Sequence, residues 1–190
     1  MAVQMLDPVQ EPVDVTHDLA PRLATLDGKV VGLYSNDKLN SARIMELIAE
    51  DLSRDYRFST RKGHYFAFRL TEDHEWGDVD KCDAVILANG DCGACSSSGI
   101  ANAIHLEKRG IPTMLVSTPP FVDAIRTMSR LNGMPDIRTA VIDHPIGSVE
   151  EAELRERASV AARQFREIIL RSPQRGVVPG ERQLVHAEGN

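Results

Sequence analysis

Cys92-Gly93-Ala94-Cys95 is the stretch of this chain best suited to chemistry. A thiolate is a strong nucleophile, and two intervening residues let two sulfurs meet within one turn. One cysteine can then attack an electrophile while the other resolves the adduct as a disulfide. Gly93, Ser96, Ser97 and Ser98 keep the surroundings small and offer hydroxyls and amides to an anion or oxyanion. Asp91 is a candidate substrate-binding residue too, and would raise the neighbouring thiol's pKa if its carboxylate faced the sulfur. Two plainer readings stand beside this one: half of a zinc site, or packing thiols. A structural zinc needs four ligands, and no second C-x-x-C exists. The third cysteine, Cys82, precedes an apolar run over 83–88. At ~3.3 Å per strand residue that run sets it ~20 Å from the pair, where it reads as a core thiol.

Three further groups could join the cysteines. His144 is the acid–base candidate, with an ordinary turn histidine before Pro145 as its alternative. Asn36, Lys38 and Asn40 could hold a carboxylate or phosphate, or serve only as turn and cap residues. Thr118 and Phe121 flank Pro119-Pro120 and could form a wall and an apolar lid, or simply punctuate the chain. The remaining histidines receive no role. No G-x-G-x-x-G or P-loop is present, so no nucleotide cofactor is expected.

The elements that must position these groups follow from periodicity. Val30-Val31-Gly32-Leu33-Tyr34 reads as a strand buried on both faces. Ala42 to Arg54 carries Ile44, Leu47, Ile48 and Leu52 at helical spacing. A second strand is predicted over Tyr56–Thr60, and 61–80 are left unassigned. Asp83–Ala88 is the clearest strand. The spacing then predicts a helix over Ser98–Arg109 stopped by Gly110, a strand over Ile111–Ser117 and a helix over Val122–Leu131. A last strand is predicted over Arg138–Ile142. Ser148 and Glu151 form a capping-box pattern before a long helix with Ala158, Ala161, Phe165, Ile168 and Ile169 on one face. Strands alternating with helices predict an α/β fold: an open, parallel, five-stranded sheet with helices on both faces, in the flavodoxin-like order 2-1-3-4-5. Ligands of such sheets bind beyond the carboxyl ends of the strands. Loops 35–41, 89–98, 118–121 and 143–147 fall there, and they carry all the candidates above.

Prolines and polar residues mark 1–28 as an extended arm, 29–172 as a single α/β domain and 173–190 as a disordered tail. The chain has 190 residues, with 28 acidic and 22 basic side chains for a net charge of −6. With no dense basic run, nucleic acid is not an expected partner. No apolar run approaches the ~20 residues of a membrane span, and no leader is visible, so a reducing cytoplasm is the expected compartment. A homo-oligomer stays open.

Asp91-Cys92-Gly93-Ala94-Cys95-Ser96-Ser97 resembles the motif of the UGSC family of selenoproteins and their cysteine homologues. The resemblance extends to Asn36-Asp37-Lys38-Leu39-Asn40, to Leu106–Thr113, to Pro120-Phe121 and to His144-Pro145-Ile146-Gly147. A looser similarity reaches the selenoprotein B subunits of glycine and betaine reductases. The resemblance implies that Cys92 stands where selenocysteine would and is the nucleophile. Alanine occupies position 94, where the motif has serine. The expected activity is a thiol-dependent oxidoreductase acting on a small electrophile, either a disulfide or an activated carbon–heteroatom bond. An external thiol would then reduce the Cys92–Cys95 disulfide. The alternatives are a redox-neutral cysteine hydrolase, lyase or transferase, and a non-enzymatic metal- or redox-sensing module.

Overall fold

The structure, a computed structural model, describes residues 15–65, 76–88 and 91–171. Five strands form one sheet: β1 (Val30–Ser35), β2 (Ser59–His64), β3 (Ala84–Ala88), β4 (Thr113–Ser117) and β5 (Ala140–Val141). All pair in parallel, in the order β2-β1-β3-β4-β5. The sheet is therefore the flavodoxin-like one expected from the sequence.

Alternation along the central strands assigns side chains to two layers. Ala84, Ile86 and Ala88 of β3, with Met114 and Val116 of β4, face the layer of α1 (Ser41–Leu52) and α4 (Glu151–Ile169). Val85, Leu87 and Leu115 face α2 (Gly93–Lys108) and α3 (Val122–Leu131). Because a strand turns successive side chains to opposite faces, unbroken apolar runs belong in the middle of such a sheet. The apolar face read on the last helix is buried, with Ala161, Phe165 and Ile169 fully covered.

Several local expectations shift. The second strand lies at Ser59–His64, later than the apolar signal at 56–58, because an edge strand is only half covered and tolerates Arg61 and Lys62. The last strand shrinks to Ala140–Val141. The capping box is not made. Glu151 opens α4, Glu150 is the N-cap without a side-chain cap bond, and Glu151 instead pairs with Arg43 and Arg155. The most consequential shift is in α2, which begins at Gly93 rather than Ser98. Serines and glycine have weak helix propensity, but packing against the sheet overrides it.

Of the expected arm, residues 1–14 lie outside the described residues; residues 15–28 carry one parallel bridge, Leu23 to Leu170, and end in a turn at 27–28. Leu26 is fully buried, and Glu107 of α2 anchors the arm. The buried Glu107 carboxylate accepts from the Ala20 and Thr113 amides, each at 2.8 Å, and from both terminal nitrogens of Arg22 at 2.9 and 3.1 Å. At the far edge, Gln164 of α4 meets β5. Its Oε1 accepts from the Val141 amide at 2.9 Å and its Nε2 donates to the Val141 carbonyl at 2.8 Å. The expected tail, 173–190, lies outside the described residues, as do 66–75 of the unassigned stretch. No helix among the described residues is long and apolar enough to cross a membrane.

Candidate functional site

The site begins with how α2 begins. Cys92, in extended conformation, is the N-cap, and its Sγ accepts the Cys95 amide at 3.1 Å. A cysteine sulfur thus occupies the place a Ser or Asp oxygen commonly takes. The exposed helix amides and their partial positive charge favour a thiolate there. Cys92 is half-buried and Cys95 is buried. The two are joined by a disulfide, with Cα atoms 5.3 Å apart. A Cβ added at Gly93 would meet nothing within 4 Å, so the helix start is open on that side.

The end of β1, the start of α1 and the end of β3 are tied by hydroxyls. Ser41 Oγ donates to the Ala88 carbonyl at 2.8 Å and receives Ser35 Oγ at 3.0 Å, while Ser35 Oγ accepts the Asp37 amide at 3.0 Å. Asp37 and Asn40 sit in the left-handed region, at φ 59° and 62°, which turns the chain sharply into α1. The Asn40 amide group donates to the Ile146 and Val149 carbonyls at 2.9 and 3.1 Å. From the other side, Asp91 Oδ1 accepts the Ile146 amide at 2.7 Å and Oδ2 accepts the Gly147 amide. A Cβ at Gly147 would lie 2.8 Å from Asp91 Oδ2, so a larger residue there would require the carboxylate to shift. Asp91 and Asn40 thereby hold the 146–149 loop between them.

The result is a cavity of about 300 Å³, lined by Lys38, Leu39, Ser41, Ala88, Asp91, Cys92, Cys95, Ile146 and Gly147. Its walls are chiefly apolar, as in most small-molecule sites. His144 stands beside it. Its Nδ1 lies 3.2 Å from Thr118 Oγ1 and 3.6 Å from Asp91 Oδ1, and its ring meets Phe121 edge-on at 5.9 Å.

The structure brings Lys38, Asp91, Cys92 and Cys95 together in the cavity wall. His144, Thr118 and Phe121 form a second cluster that touches it through Asp91. Asn40 shapes the wall through its loop contacts. Asn36 lies in the same turn, where its Oδ1 accepts the Lys38 amide at 3.4 Å. Ser96, Ser97 and Ser98 lie outside the lining. Ser98 Oγ donates to the Cys95 carbonyl at 3.3 Å, and Ser96 is fully buried. Sequence reasoning missed Leu39, Ser41, Ala88, Ile146 and Gly147 as wall residues. Ile146 and Gly147 lay in a loop already placed at this edge, but nothing in their types marked them. Cys82 is buried at the opposite end of β3, and burial pushes its thiol pKa up. Among the described residues, no three His, Cys, Asp or Glu side chains gather as a metal site would require.

The model of the UGSC family matches residues 4–171. This chain belongs to the UGSC family. The match spans the arm, every strand and helix described above, and the cavity with its cysteine pair. No curated protein matches the UGSC chain.

Proposed function

We propose that this UGSC-family protein is a thiol-dependent oxidoreductase for a small electrophilic substrate. The observation that supports the reading is the inequality of two cysteines in one cavity wall. Cys92 is half-open at a helix N-terminus, and Cys95 is buried and joined to it. The open sulfur is the one a substrate can reach, and the covered one is placed to resolve the adduct.

With a disulfide substrate, the Cys92 thiolate attacks one sulfur and displaces the other half as a thiolate. Cys95 then attacks the Cys92 sulfur, forms the Cys92–Cys95 disulfide and releases the second half as a thiolate. Two electrons pass from the protein dithiol to the substrate. With an activated carbon–heteroatom bond, Cys92 displaces the heteroatom group. Attack by Cys95 then leaves the electron pair on carbon, which takes a proton. An external dithiol reduces the protein disulfide and is itself oxidised. His144, held by Thr118 and near Asp91, is the proposed proton donor to the leaving group.

The test uses reduced protein and a small disulfide, read by intact mass. Wild type is expected to finish two mass units lighter, with Cys92 and Cys95 joined. Cys95→Ser is expected to stop as a stable mixed disulfide on the remaining thiol, and Cys92→Ser to remain unreacted. Turnover of an activated thioester by Cys95→Ser, with no external reductant, would transfer the assignment to a redox-neutral cysteine enzyme. Full reactivity of Cys92→Ser would end both.

A further inference from the structure

We infer that the cavity takes an anionic substrate, a small apolar-bodied carboxylate, with Lys38 as the group that selects its charge. The inference rests on the reading of Cys92 as nucleophile and adds the substrate's class to it.

Two charged side chains line the cavity, Lys38 and Asp91. Their situations differ. Asp91 has both oxygens occupied by the Ile146 and Gly147 amides and lies 3.6 Å from the His144 ring. Its charge is met by donors already in the fold. Lys38 forms no ion pair among the described residues, although its neighbour Asp37 is taken by His64 at 2.8 Å. The hydroxyl of Ser41 is likewise spent, on the Ala88 carbonyl. The remaining lining, Leu39, Ala88, Ile146 and Gly147, carries no charge.

Two helix starts add to the same sign. Ser41 opens α1 and Cys92 caps α2, and both line the cavity. Asn40 caps α1 from the left-handed region without a side-chain bond to its amides, while its Nδ2 donates to the 146–149 loop. Both helix starts add positive potential at the cavity, and the movable cation among the described lining residues is a flexible lysine. A lysine is a point charge on an apolar stem, suited to a carboxylate at the mouth of an apolar pocket. The 300 Å³ volume limits that molecule to modest size.

The test compares two alkylating reagents of nearly equal size, the anionic iodoacetate and the neutral iodoacetamide. Each reacts with a thiolate by forming a thioether and expelling iodide. Reduced protein is treated with each, and Cys92 modification is followed by peptide mass. The rate ratio of iodoacetate to iodoacetamide is compared with that of glutathione at the same pH. The ratio for Cys92 is expected to exceed glutathione's by about fivefold at low salt, the worth of one partly exposed charge pair. Lys38→Met is expected to lose that excess, Lys38→Arg to keep it, and Lys38→Glu to invert it. A Cys92 ratio equal to glutathione's, or one that Lys38→Met leaves unchanged, overturns the inference while fast Cys92 alkylation preserves the nucleophile. Slow alkylation of Cys92 by both reagents overturns the nucleophile and the inference with it.

Discussion

Cys92 and Cys82 stand ten positions apart and differ in everything that governs a thiol. Cys92 has helix amides before it and an open cavity beside it. Cys82 is sealed near Tyr34 and Val85, in a place where burial raises its pKa. Native Cys82 is therefore expected to resist iodoacetamide for as long as the fold persists and to react once urea unfolds the chain. Peptide mass distinguishes it from the pair, and rapid native labelling of Cys82 would contradict its burial. The C-x-x-C and Lys38 were legible because thiol and ammonium chemistry is written in side-chain type. Asp91's part was not. Its type suggests a substrate contact or a disturbance of the thiol, yet it grips two backbone amides. An amide donor is common to almost every residue, so no residue type announced the far end of those bonds. Asn40, expected at the ligand, is bound to backbone carbonyls for the same unreadable reason.

Strand-to-helix alternation carried the architecture, since each central strand had to be apolar on both faces. The start of α2 was hidden, because Gly93, Ser96 and Ser97 read locally as a loop. Tertiary contact made them a helix and placed Cys92 at its cap, which sharpens the site beyond the loop predicted from composition. The capping box failed in the opposite way. The Ser148 and Glu151 signal was local, while Glu151 found better partners in Arg43 and Arg155. The other end of α2 supports a prediction. Glu107 joins the arm, the helix and the start of β4 through four donors to one buried carboxylate. Glu107→Gln keeps the shape but offers one acceptor oxygen and leaves the Arg22 guanidinium unpaired in a largely covered place. The expected loss is about 2–3 kcal/mol of unfolding free energy, read from urea denaturation. A change below half a kilocalorie would show that the arm does not depend on this carboxylate.

At the scale of the molecule, carboxylates are tied to cations and amides around the sheet. The Arg57 amide and Thr25 hold Asp27 below the usual carboxylate range. Lys62 and Arg43 do the same for Glu46 despite partial burial, as Lys81 does for Asp78. For Asp83, burial pushes upward but the Val30 amide and Lys29 prevail, and Arg43 lowers Glu151. Each of these groups is more acidic folded than unfolded, so the unfolded chain binds more protons as pH falls. Their contribution is complete above the ordinary carboxylate range of ~4 and is lost as pH drops through the folded values. Urea midpoints are expected to be flat from pH 8 to about 5.5 and to decline steadily below about 4. A midpoint that rises on acidification would refute this ordering. The same molecule also has a defined outer limit. A sheet ends either where no further chain arrives or where something occupies its last row of donors and acceptors. Gln164 occupies that row at Val141, imitating a peptide unit with its side-chain amide. An incoming strand, from a second copy or from a misfolded neighbour, must first evict it. At Val141 the β5 border is thus covered against the strand addition that leads open sheet edges into aggregates.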